Sequence, residues 1–271
     1  MTNALPRTLA HYVFIISVCL TTLLLSALSN NAQTGHRREP LVTTPSTNVT
    51  TTFDPTNPNV MIQQLIALTP LQFDNWLTTV LPTPVSPTVR DEAFPRATWL
   101  AQLPIVEDFK TCNHLQQQTL PLLRLFHREH AVRFFIYRDN YPNVQTVAFS
   151  YIGISTGLLD LLQRDTTGAQ LNGLVAHELA RDIVKDRFIK AWKHEDFQTI
   201  RQLELFHDVI AAIALHRLQL PSQQYAFILK QMSAHNTMRN DYAADSLERK
   251  RHPSLNDRQL VINSIALACA S

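Results

Sequence analysis

The chain has 271 residues, 45% of them hydrophobic and 17% charged, with a formal net charge of +2. That composition excludes an intrinsically disordered chain and supplies enough apolar residues for a sizeable core. The near-neutral balance, with no Lys/Arg block interleaved with aromatics, argues against nucleic acid as a partner. Only 5 glycines stand beside 15 prolines, which predicts helix-rich structure with proline-punctuated connections.

In chain order, residues 1–32 have the layout of a secretory signal: Arg7, an apolar run from Tyr12 to Leu28, then small and polar residues. Ala27-Leu28-Ser29 and the bond after Ala32 are the two cleavage options. The run is slightly long for a signal and slightly short of the roughly 20 residues a span needs, so an uncleaved membrane anchor is the alternative. Cys19 follows Val18 in mid-run, which argues against a lipoprotein. Either reading places the bulk of the chain outside the cytoplasm, exported or membrane-anchored. Residues 33–60 are rich in Thr, Pro and Asn and read as a linker, with a glycosylation sequon at Asn48-Val49-Thr50.

Residues 61–110 read as a helical N-terminal extension. Two short helices are expected over Met61–Leu81, from apolar residues at helical spacing (Ile62, Leu65, Ile66, then Leu71, Phe73, Trp76, Leu77). The proline-rich "LPTPVSPTVRDEAFP" interrupts that pattern. The main domain, 111–271, opens with a helix over Leu115–His127 and a strand over Ala131–Asp139. "NYPN" is a turn, and "QTVAFSYIGIS" is a second strand or a pair of strands. A helix then starts with Thr156 as N-cap, and helices follow over Ala169 to about Lys193, 196–218, 222–250 and "PSLNDRQLVINSIALA". A small antiparallel sheet followed by many helices predicts an α+β fold. Cys112 and Cys269 either pair or remain buried thiols, and the lack of any Cys-x-x-Cys spacing argues against a cysteine zinc site.

The stretch "LVAHELARDIVKDRF" carries the chemistry. In a His-Glu-x-x-His helix the two histidines at i and i+4 project about 40° apart and reach one metal, while the glutamate serves as general base on metal-bound water. Here His177 and Glu178 are present, but Arg181 stands at the second histidine position. Taken alone, His177 reads more simply as a satisfied core histidine and Glu178 as a solvated acid.

The surroundings add to that fragment. "FSYIGISTGLLDLL" precedes "LNGLVAHELARDIVKDRF", and "DYAADSLERKRHPSLNDRQ" follows with Asp241, Ala244, Asp245, His252-Pro253 and Arg258. These segments, over roughly Val132 to Arg258, resemble the gluzincin metallopeptidases that include the CAAX prenyl endopeptidases and the HtpX-type heat-shock peptidases. The resemblance implies a zincin-like fold and hydrolysis of extended polypeptides by zinc-activated water. It makes His177 a zinc ligand, Glu178 the base, Asp241 the occupant of the third-ligand position and Asp245 the acid that orients a ligand histidine. It also makes the strand Val147–Tyr151, with Val147, Ala148 and Phe149, the edge on which a polypeptide substrate or protein partner lies. His252 matches a histidine with no assigned role.

Two positions depart from that pattern. Arg181 has no lone pair to give a metal and repels one. Asp241 is one methylene shorter than the family's Glu. The ligand set for zinc is therefore incomplete, and the alternative function is a catalytically inactive pseudopeptidase binding partners through the former cleft. Arg181 either replaces the metal as local cation, pairing with Glu178 or Asp241, or swings into the cleft water. None of His194, His207, His216 and His235 stands at a helical spacing that would restore the missing ligand.

Overall fold

The computed structural model describes residues 58–100, 102–147, 150–237 and 250–270. The expected signal or anchor and most of the linker lie outside them. No helix among the described residues is long and apolar enough to cross a membrane.

The extension begins with α1 (Pro58–Ile66) and α2 (Pro70–Val80). Thr69 caps α2 in a reciprocal box with Gln72, and Pro70 sits at the first turn, where its missing N–H costs nothing. The segment read as a proline break is instead a third helix, α3 (Pro87–Leu100). Phe94 of α3 stacks on Tyr151 at 4.0 Å and meets the edge of Phe135 at 5.1 Å, so tertiary packing overrides the internal Pro95.

A short strand β1 (Ile105–Val106) leads into α4 (Phe109–Leu125), capped by Asp108, then β2 (Arg133–Tyr137), β3 (Val144–Val147) and β4 (Tyr151–Ser155). The sheet order is β1-β2-β4-β3. It is mixed, not antiparallel as expected: β2 and β4 run parallel, while β1–β2 and β3–β4 are antiparallel. After β2 the chain crosses over to form β3 on the outside and returns as β4 between the two, which makes β3 the link that a parallel pair requires. Val147 ends β3 and pairs antiparallel with Tyr151, the first residue of β4, so the two ends of the expected strand Val147–Tyr151 belong to different strands.

Ser155, not Thr156, caps α5 (Thr156–Leu162). The Ser155 hydroxyl accepts from the Leu158 amide, whereas Thr156 is bonded to the Asp139 backbone. The single helix expected over Ala169–Lys193 is three pieces: α6 (Ala169–Ala180), a 3-10 turn (Arg181–Val184) and α7 (Lys185–Lys193). Then come α8 (Phe197–Arg217), α9 (Ser222–Asn236) and α10 (Leu255–Ala270).

Every residue of α6 is buried, and α8 is buried continuously from Phe206 to Leu215. These two helices cross in the centre of the molecule. One apolar cluster joins them to Leu65, Phe73, Trp76 and Leu77 of the extension and to Ile262 and Ile265 of α10. The extension thus belongs to the same core as the main domain. A smaller cluster, with Ala97, Phe135, Tyr137 and Val147, fills the opposite side of the sheet beneath α3. The α+β class holds: mostly helical, with one small sheet. Cys112 and Cys269 are free and only partly buried.

Candidate functional site

The α6–α8 crossing buries a group of charges that an apolar core accepts only when they are paired. From α6 come His177 and Glu178; from α8 come Glu204, His207 and Asp208; all are buried. Tyr225 of α9 and Arg258 of α10 close the group.

Asp208 is its hub. The Arg258 guanidinium grips it with two bonds, Nε to Oδ2 at 2.7 Å and Nη2 to Oδ1 at 2.6 Å. The Tyr225 hydroxyl donates to Oδ1 at 2.6 Å, and His177 Nδ1 lies 2.9 Å from the same oxygen. Burial alone would raise the Asp208 pKa, but Arg258 and then His177 hold it far below the ordinary carboxylate range. An acceptor-only carboxylate fixes the His177 tautomer: Nδ1 carries the proton, and Nε2 faces the other way.

There, His177 Nε2 lies 3.2 Å from Glu204 Oε2. Burial would lower the His177 pKa, and the contacts to Asp208 and Glu204 outweigh it and raise it. Burial would raise that of Glu204, and Arg181 with His177 drives it well below normal. At His207 burial outweighs the attraction of Glu204 and Asp208, pushes the pKa well down and keeps the ring neutral. Its exposure is 0%, and neither ring nitrogen has a hydrogen-bond partner. Glu204 Oε2 also lacks one. A buried polar atom left unsatisfied costs about 1–3 kcal/mol, so this is an expensive place for a histidine. Ligand atoms of His177, Glu204 and His207 all lie within 4.8 Å of one another.

Arg181 sits at the mouth, 35% exposed. Its Nη1 donates to Glu178 Oε2 at 2.9 Å, and its Nη2 lies 3.5 Å from Glu204 Oε1. Glu178 and Arg181 stand three positions apart at the end of α6, a spacing that makes them neighbours on the helix surface. Thr146 of β3 donates to the same Oε2 at 3.0 Å and ties the end strand of the sheet to the site. Of the two readings of Arg181, pairing with Glu178 is the one found.

The sequence-derived residues divide clearly. Glu178 and Arg181 pair directly, His177 and Arg181 both reach Glu204, and Val147 lies on β3. His252 comes close, with Nδ1 at 3.9 Å from Glu204 Oε2. Asp241, Asp245, Ala148 and Phe149 lie outside the described residues. Among the described residues, Asp208 contacts His177 Nδ1 and Glu204 stands at His177 Nε2. His207, set aside for want of helical spacing, is brought within 5.1 Å of the His177 ring by tertiary packing. The sequence signal for it is "ELFHD", Glu204 to Asp208: two acids at i and i+4 with a histidine between them, in mid-helix directly before the apolar run Val209–Leu215.

Gly173 makes room for this network. A Cβ there would fall 2.6 Å from Tyr225 Cγ and 2.7 Å from its Cβ, so α6 and α9 touch backbone to side chain. Gly173→Ala is expected to cost about 1–3 kcal/mol by overpacking and to dislodge the tyrosine from Asp208. A fall in urea midpoint at unchanged slope is the measurement; an unchanged midpoint would contradict this packing.

No protein-family model matches the chain, and no curated protein matches it. The likeness to the gluzincin peptidases therefore rests on the motifs themselves.

Proposed function

We propose that this chain is a pseudopeptidase: a relative of the gluzincin metallopeptidases, acting outside the cytoplasm, that has lost hydrolysis and kept the cleft. One observation carries the reading. Glu178 Oε2, the oxygen a general base would turn toward a water, already accepts from both Arg181 Nη1 at 2.9 Å and Thr146 Oγ1 at 3.0 Å. A His-Glu-x-x-His peptidase places its second imidazole at the position of Arg181, and the guanidinium can neither ligate a metal nor leave the base free. In an active relative zinc would polarise the scissile carbonyl and supply the nucleophile; here the chain's own residues neutralise one another instead.

The retained activity is binding of an extended polypeptide or a protein partner. β3 is the end strand of the sheet order and is anchored to the site through Thr146, which suits addition of a further strand. The test is incubation of the full chain with an unfolded protein substrate, with and without added zinc, beside Glu178→Gln. Both proteins are expected to leave the substrate intact. Cleavage by the unaltered protein that vanishes in Glu178→Gln would overturn the proposal and restore the peptidase reading.

A further inference from the structure

The geometry points to a metal site of altered composition, in which His177, Glu204 and His207 hold one divalent transition ion and His207 supplies the imidazole missing at position 181. It is independent of whether the cleft hydrolyses anything. Three features carry it.

The first is donor geometry. Two imidazoles and a carboxylate, the donor set zinc favours, offer ligand atoms within 4.8 Å of one another. His177 is already oriented for it, because Nδ1 is engaged by Asp208 and Nε2 points at Glu204. A carboxylate behind a ligand histidine is the usual outer support of a metal site.

The second is what the group lacks. His207 is wholly buried with both ring nitrogens unpartnered, and Glu204 Oε2 makes no hydrogen bond, having only His177 Nε2 beside it at 3.2 Å. As a mere filler between Phe188 and His177, position 207 would be served better by an apolar side chain. An ion bound between the His207 ring and Glu204 Oε2 would satisfy both together.

The third is charge. Glu178, Glu204 and Asp208 are three carboxylates facing the two guanidinium groups of Arg181 and Arg258. Metal binding would displace the proton that Asp208 and Glu204 hold on His177, and with that imidazole neutral the three carboxylates outnumber the two guanidinium groups by one, which favours the cation. Arg181 binds the other oxygen of Glu204 and so coexists with the ion. Arg181 and His252, each 35% exposed, are the side chains through which the group reaches solvent. With the ligands buried and Arg181 across the mouth, the ion is structural: it clamps α6 to α8.

The test uses the full chain, stripped with a chelator and titrated with zinc and, separately, with cobalt(II). One equivalent of zinc is expected to bind and raise Tm, and cobalt(II) is expected to give the intense visible bands of a four-coordinate site. In His207→Leu the metal-free protein is expected to fold at least as stably, and zinc affinity to drop about 100-fold or more, beyond what loss of an outer partner costs. Failure of the unaltered protein to bind zinc or to develop the cobalt bands would overturn the site. Zinc binding left unchanged in His207→Leu would overturn the role of His207. If that variant does not fold, the cobalt spectrum of the unaltered protein decides, because a site without two imidazoles and a carboxylate gives different bands.

Discussion

Replacing Asp208 by alanine is expected to destabilise the protein by about 3–5 kcal/mol, the cost of breaking a buried ion pair from one side. The carboxylate is 0% exposed and receives two bonds from Arg258, one from Tyr225 and one from His177. Its removal leaves the Arg258 guanidinium, itself only 16% exposed, without a counter-charge, and the Tyr225 hydroxyl without an acceptor. Asp208→Asn keeps the shape and one acceptor but removes the charge, so an intermediate loss is expected. A double replacement with Arg258→Ala should cost less than the sum of the two single changes, since neither charge is then stranded. The sign of the pH effect follows. The Asp208 pKa is depressed on folding, with burial opposing and Arg258 prevailing. Its contribution is therefore complete above the unfolded carboxylate pKa of about 4 and is lost as pH falls through the lower native value. Denaturant titrations of the variants at neutral and acid pH measure both effects. A loss under about 1 kcal/mol for Asp208→Ala, the range of an exposed pair, would mean that this hub is not desolvated in solution.

Much of the fold is legible in the sequence because most of its elements are amphipathic or capped locally. α2 declares itself through Thr69, Pro70 and Gln72, and α8 through its long apolar run. The mixed sheet is hidden, because a parallel β2–β4 pair leaves no turn signal between its partners. The one clue is "RFFIY", where four successive residues are buried and no polar alternation marks a solvent face. α3 is hidden for a different reason: its prolines announce a break, and only the Phe94 ring packed on Tyr151 and Phe135 explains why the helix forms. In the site, His177, Glu178 and Arg181 share one helix and its adjoining turn, so their meeting follows from spacing alone. His177 and Asp208 stand 31 positions apart, and their contact depends on how α6 crosses α8. Periodicity reports which face of a helix is buried, not which buried face it meets. The sequence therefore marks a helix over 196–218 without showing that Glu204 and Asp208 face His177.

Arg181→His is expected to tighten zinc binding by about 100-fold, equivalent to roughly 2.8 kcal/mol at 1.4 kcal/mol per decade. Two changes act in the same direction. The guanidinium now 3.5 Å from Glu204 Oε1 disappears, which leaves the buried carboxylates with a larger excess of negative charge. An imidazole arrives at i+4 from His177, on the same helical face, adding a donor to those already present. The metal-free variant should be less stable than the unaltered protein, because Glu178 loses its ion pair and keeps only the Thr146 hydroxyl. With zinc bound the order should reverse, since binding to the folded state alone adds stability in proportion to the logarithm of free metal over Kd. Competition against a chromophoric chelator gives the affinity, and thermal melts with and without zinc give the crossover. Loss of the Arg181 contact also frees Glu178 Oε2 toward the cleft, so this variant is the background in which restored cleavage of an unfolded substrate should be sought. Zinc affinity unchanged by Arg181→His would mean that residue 181 does not face the His177–Glu204 pair, and would remove the basis for placing the former metal centre there.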